Sequence, residues 1–377
     1  AKPHSPDQVS TVQAIGKIPV QQVCLGSCTN SSYKDLATAA LILKGQVAHP
    51  DVSFVIAPGS KQVLENLARD GYLAELLSAG ARIMENACGF CIGSSQSPSP
   101  GAVSLRTSNR NFQGRSGTAD AQVYLVSPET AAAAVITGRF TDPRDLGIPY
   151  PVVAMPASFY IDDRMIIKPD IQPGQLPIEI RRGKNIGQPP HCTPMPDLLA
   201  GEVTIKVGDK ITTDHIMPAG ELMKYRSNIP QYAEYVFAYL DRDFARRAQA
   251  VKNAARHNII VAGLSYGQGS SREHAAICPM YLGVKVVMAR SFERIHAANL
   301  INFGILPLTF REESEYQQIK QGDLLEIANL RTIIATKGKM IVKNLSQKRT
   351  FAMSYDFSER QQAVLLAGGA LKIRNSG

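Results

Sequence analysis

Along the first 140 residues, short apolar runs alternate with longer stretches of helical period. Val20–Gly26 is a compact apolar run that stops at a glycine, which predicts a buried strand. Ser32–Ala48 is rich in Ala and Leu and predicts a helix. Val52–Ala57 predicts a second strand, stopped by Pro58-Gly59, and Lys61–Ser78 a helix interrupted at Gly71. Arg82–Glu85 reads as a short strand, Val123–Val126 as another, and Pro128–Thr137 as a helix. Strand and helix taken in turn predict an α/β domain with a mostly parallel sheet. In such sheets, ligands and catalytic groups gather in the loops at the carboxyl ends of the strands.

The pattern changes after Leu146. Prolines cluster at positions 169, 173, 177, 189, 190, 194 and 196 around the basic Arg181-Arg182-Gly183-Lys184, which predicts an extended connection and no packed element. Residues 1–145 are therefore read as one domain, 146–196 as a linker and 197–377 as a second domain. In the latter, Glu202–Val207, Asn258–Ala262, Val284–Ala289 and Gly304–Leu308 predict strands, Asp209–Gly220 a loop, and Ser358–Ala367 a closing helix. A Gly/Ser-rich loop follows Ala262 and runs into a helix.

Composition narrows the class. Hydrophobic residues make up 44% and charged residues 19% of the 377-residue chain, enough for two or three domains with sizeable cores. No apolar run approaches the ~20 residues that span a bilayer, so no membrane partner is expected. Ala1–Pro19 is mixed and polar, unlike a secretory leader. It reads as a linker entering a domain, and an upstream portion is expected. The six cysteines do not form the framework of a small stapled fold, which favours a reducing compartment. The net charge of +9 fits a basic surface, a polycarboxylate substrate or a nucleic acid alike.

The sharpest chemistry lies in Cys28 and the pair Cys88-Gly89-Phe90-Cys91. A cubane iron–sulfur cluster normally takes four thiolates. Three leave one iron open as a Lewis acid, suited to hydration and dehydration. The alternatives are incidental thiols, a redox site, or a zinc site recruiting Cys24. On one extended strand, Cys24 would lie about 13 Å from Cys28. Thr107–Arg115 offers Asn109, Arg110, Asn111 and Arg115, groups that bind carboxylates in pairs or simply face solvent. Gly267-Gln268-Gly269-Ser270-Ser271-Arg272-Glu273-His274 stands between a strand and a helix. A serine there could lose its proton to backbone and Arg272 stabilisation; a plain N-cap or a phosphate loop are the other readings. Thr212-Thr213-Asp214-His215, with Lys224 and Arg226 downstream, suits a supporting role.

Together these segments resemble the aconitase family. The resemblance runs through Gly26-Ser27-Cys28-Thr29-Asn30-Ser31, Ala87–Gly93, Ser108–Arg115, Thr212–Ile216, Tyr266–Ala276 and Ser291–His296, in order over nearly the whole chain. It implies a three-layer α/β domain with a mostly parallel sheet, a linker, and a swivelling β/β/α domain. It implies that Cys28, Cys88 and Cys91 ligate a [4Fe–4S] cluster whose fourth iron faces the substrate. Ser270 would be the general base, with Asp214 and Arg272 catalytic beside it. Asn109, Arg110, Arg115, Arg226 and Ser271 would bind substrate.

The implied reaction interconverts citrate and isocitrate through cis-aconitate. Homoaconitase and isopropylmalate isomerase share the cluster motifs, and Arg226, in Lys224-Tyr225-Arg226, favours citrate. Phe90 stands where proline is common. The family's first two domains have no counterpart here, so they are the expected partners, alongside a small tricarboxylate and, for a cluster-free form, RNA. The implied location is cytoplasmic, or the mitochondrial matrix in a eukaryote.

Overall fold

The computed structural model describes residues 1–168, 180–269 and 272–373. The chain divides into two compact units, Ala1–Gln175 and Leu176–Gly377.

The first unit is built on β1 (Gln22–Gly26), β2 (Ser53–Ala57), β3 (Arg82–Ile83), β4 (Val103–Arg106) and β5 (Gln122–Leu125). They form one sheet in the order β3-β2-β1-β4-β5, every pairing parallel. All five residues of the central β1 are buried, as expected of a parallel strand covered on both faces. The helix Tyr33–Leu43 starts at Ser32, whose side chain forms a reciprocal capping box with Asp35. It ends five residues before the predicted Ala48, ahead of Gly45 at φ +69°. Its buried Leu36, Ala39, Ala40 and Leu43 share one core with Ala131, Ala132, Ala134 and Val135 of the helix Pro128–Thr137. The predicted break at Gly71 separates the helices Lys61–Arg69 and Tyr72–Ser78. Beyond residue 145 the chain still packs on this unit. The Phe159 ring stands edge-on to Tyr33, 5.4 Å between centroids, and Asn66 exchanges hydrogen bonds with the Tyr160 backbone.

The second unit is a closed seven-stranded barrel of β6 (Leu199–Lys206), β7 (His257–Ala262), β8 (Val284–Ala289), β9 (Leu306–Phe310), β10 (Leu324–Ile327), β11 (Met340–Asn344) and β12 (Arg349–Ser354). Strands β6-β7-β8-β9 run parallel; β12, β11 and β10 continue antiparallel until β10 pairs with β6 and closes the ring. The two halves differ in pattern because they differ in cover. All of β8 is buried. Val286 and Met288 face one core with Leu199, Leu325 and Phe351. Val284 and Val287 face another with the helices Phe244–Asn253 and His274–Tyr281. By contrast β11 alternates buried positions with the partly buried Ile341 and the exposed Lys343, as a one-sided antiparallel strand does. Among the described residues no helix is long and apolar enough to cross a membrane.

Candidate functional site in the first unit and its counterpart loop in the second

Both cysteine loops leave carboxyl ends of the first sheet. Strand β1 turns off at Gly26, φ +105°, where a Cβ would overlap the Ala57 carbonyl oxygen; only glycine fits so close an approach. The next residues hold left-handed backbone at Ser27 (φ 83°) and Asn30 (φ 51°), so Cys28 stands out, exposed, between them. The Gly26 N–H donates to Thr107 Oγ1 at 2.7 Å, and Asn30 Nδ2 donates to the Thr107 carbonyl at 2.7 Å. Both bonds tie the Cys28 turn to the loop leaving β4.

Past β3, Cys88 and Cys91 are joined by a single tight turn, the Cys91 N–H donating to the Cys88 carbonyl at 2.9 Å. Cys88 is exposed and Cys91 buried. Phe90, where the resemblance led one to look for proline, fills an apolar pocket with Cys24, Val55 and Ala57. Behind the turn lies Arg106, fully buried in β4. Its guanidinium donates to the Phe90 carbonyl, to the Gln96 carbonyl at 2.8 Å and to Gln22 Oε1 at 2.9 Å. A buried cation satisfied in this way pins the cysteine loop to the sheet.

The segment after β4 reaches both loops. Asn109 Nδ2 donates to Thr29 Oγ1 at 3.0 Å, next to Cys28. Arg115 donates through Nε to the Cys91 carbonyl at 3.2 Å and brings Nη2 to 3.7 Å from Cys91 Sγ. Arg110 donates to the Asn109 carbonyl at 2.8 Å. Six of the sequence-predicted residues thus share this edge: Cys28, Cys88, Cys91, Asn109, Arg110 and Arg115. Two buried hydroxyls beside them, Ser27 and Ser108, have no partner among the described residues.

Cys28, Cys88 and Cys91 supply three thiols, a donor set of the kind a cubane takes. Among the described residues, no three His, Cys, Asp or Glu side chains converge as ligands of one metal ion. A zinc ion draws four ligands onto one point; a cubane spreads its thiolates over separate irons. Cys24, the candidate fourth zinc ligand, faces the Phe90 core, and burial pushes its thiol up to about 11.

In the second unit, the loops after β6 and β7 are laced together. The Gly267 N–H donates to the Ile211 carbonyl, and the Thr213 N–H to the Gln268 carbonyl, both at 2.8 Å. The predicted loop 209–220 contains a short helix, Thr213–Ile216, because Thr212 caps it and accepts from the His215 N–H at 3.0 Å. His215 Nδ1 in turn accepts the Thr212 N–H at 3.1 Å, so this histidine is occupied as a cap. Arg272, largely buried, donates to Asp214 Oδ1 at 2.5 Å. His274 Nε2 lies 2.9 Å from the Arg226 carbonyl. Asp214, Arg226 and Arg272 are therefore neighbours along one pair of loops. Ser270 and Ser271 lie outside the described residues.

The sequence reading assigned no role to Arg106, Thr107 or His296. His296 is buried, its ring 5.2 Å from that of Tyr266, and it packs where a Cβ on Gly267 (φ +86°) would sit. That close packing requires glycine at the start of the loop. A histidine just inside a helix was the available signal for His296; Arg106 lies in a strand with no apolar signature.

Comparison with known proteins gives two family matches: the aconitase family (aconitate hydratase) over residues 4–138 and the aconitase C-terminal domain over 215–313. A homocitrate dehydratase, mitochondrial, of Saccharomyces cerevisiae is 30% identical, covering 92% of this chain and 50% of its own length. A probable aconitate hydratase, mitochondrial, of Dictyostelium discoideum is 32% identical, covering 92% of this chain and 51% of its own length. A crystal structure of 3-isopropylmalate dehydratase from Methanocaldococcus jannaschii, at 29% identity and a TM-score of 0.39, covers 46% of this chain and 92% of that one. The chain spans about half the length of the curated relatives it matches.

Proposed function

The chain belongs to the aconitase family, and we propose that it works as part of a hydro-lyase that interconverts citrate and isocitrate through cis-aconitate. The observation that carries this reading is the segment 107–116, whose Asn109 and Arg115 bond to the two cysteine loops at once. It sets an amide donor on Thr29, next to Cys28, and a guanidinium donor on Cys91. When bound through Cys28, Cys88 and Cys91, a [4Fe–4S] cluster supplies a Lewis acid for the departing hydroxyl at its unligated iron.

The protein's own groups do the rest. Arg110, Arg115 and Arg226 bind substrate carboxylates through paired N–H donors, and Asn109 orients them. That neutralisation makes the carbon-bound proton easier to remove. Ser270 takes this proton as its carbon–hydrogen pair becomes the new double bond, while the hydroxyl leaves as water on a proton given by an acid among the groups outside this chain. Arg272, held by Asp214, and backbone N–H groups of the glycine-rich loop stabilise the serine oxyanion before transfer, and Ser271 binds substrate. Groups outside this chain complete the site, in line with its half-length coverage of the relatives. Their names favour a mitochondrial location.

Ser270→Ala in the assembled enzyme is expected to lower turnover by orders of magnitude, about 10²-fold or more, while visible cluster absorption is unchanged. Retained turnover would refute the base assignment. Homocitrate is the second substrate reading, favoured by the name of one relative. It differs by one methylene, worth roughly 10–200-fold in discrimination, so kcat/KM measured for both acids on one preparation ranks them.

A further inference from the structure

The parallel half of the barrel has a second end. Strands β7 and β8 begin at His257 and Val284, whereas the loop carrying Arg272 leaves after Ala262. The two ends are roughly 17 Å apart along β7. At the amino end lies a cavity of about 580 Å³, within the size range of small-ligand sites. His191, Lys252, Arg256, His257 and Lys285 line it, and no aspartate or glutamate among the described residues does.

Lys285 is the informative member. It is only 5% exposed. Its ammonium donates to the Thr193 carbonyl at 2.7 Å, yet no carboxylate among the described residues pairs with it. Burial lowers its pKa to about 8, and its charge adds to the burial that lowers the pKa of His257. A buried cation is normally paired, and Lys285 lines the cavity with a carbonyl as its printed hydrogen-bond acceptor among the described residues. Among the described residues Arg256 pairs with Glu202, at 4.0 Å, and it is half exposed. The rest of the lining is mostly apolar, with Met280 and several prolines, which suits the body of an organic ligand.

We propose that this cavity binds a small organic phosphate, with its phosphate held by Lys285 and Arg256 and its apolar body against the Met280 wall. The site is separate from the loops assigned to turnover, and the proposal does not rest on that assignment.

Calorimetric titration of the 377-residue chain with adenosine monophosphate tests it, with inorganic phosphate and adenosine as separate arms. Saturable binding of the monophosphate is expected, weaker for phosphate alone and absent for adenosine. Lys285→Gln and Arg256→Gln should each weaken it by about tenfold or more, as loss of a charge-assisted contact does. Excess tricarboxylate should leave it in place. Absence of saturable binding overturns the proposal, as does binding unchanged in Arg256→Gln or displaced by tricarboxylate. If Lys285→Gln fails to fold, Arg256→Gln decides.

Discussion

At the scale of single residues, buried polar groups carry the arrangement. Arg106 holds the cysteine loop through two backbone carbonyls and Gln22. His296 packs against the other loop at Gly267, and among the described residues neither ring nitrogen has a partner. Burial lowers the His296 pKa from 6.5 to about 4. The folded protein therefore keeps this ring neutral between those values, while the unfolded chain takes up a proton. The stabilisation is fully present above pH 6.5 and is lost as pH falls toward 4, by about 3 kcal/mol in all. His215 and His257, also lowered by burial, act in the same direction. Urea unfolding of wild type and His296→Gln at pH 7 and pH 4.5 should show a smaller pH-dependent loss in the variant. Equal losses in both would show that His296 does not titrate in this way.

At the scale of elements, turns decide where the chemistry goes. Gly26→Ala forces a left-handed backbone and a clash with the Ala57 carbonyl. It should destabilise the first unit by roughly 1–3 kcal/mol from backbone strain alone, and more if the clash is not relieved. The same variant should lose iron during reconstitution; denaturant midpoints and iron content check the two effects separately. Elements whose pattern and caps agree were legible in the sequence: the helix Pro128–Thr137 and strand β8 have the bounds read from it. Strand β4 was not, because its buried Ser104 and Arg106 give it no apolar signature. Their burial depends on partners far away in sequence, such as Gln22. The helix Thr213–Ile216 was hidden for another reason: four residues held by one cap leave no periodicity to find.

At the scale of the whole molecule, the two units solve different problems with the same device. Each uses parallel strands to deliver loops to one edge: the cysteine turns in the first, the Arg272 loop in the second. Closure of the barrel by β10 against β6 joins segments more than 120 residues apart, and no local pattern announces such a pairing. The motif order along the chain did announce the candidate residues, since their chemistry is unusual even where their neighbours are not. The placement of both cysteine turns at carboxyl ends of one sheet was the part left to the structure, because it depends on strand order, with β1 set between β2 and β4.

The claim that three thiols on one sheet edge hold an iron–sulfur cluster is tested most directly by metal analysis after anaerobic reconstitution. Wild type and the single variants Cys24→Ser, Cys28→Ser, Cys88→Ser and Cys91→Ser are compared for bound iron and acid-labile sulfide. The account predicts a brown wild-type chain with iron and sulfide in equal amounts, a Cys24→Ser chain that matches it, and loss of the cluster in the other three. A colourless wild type that binds zinc in place of iron, or a Cys28→Ser chain that keeps its full complement, would contradict it.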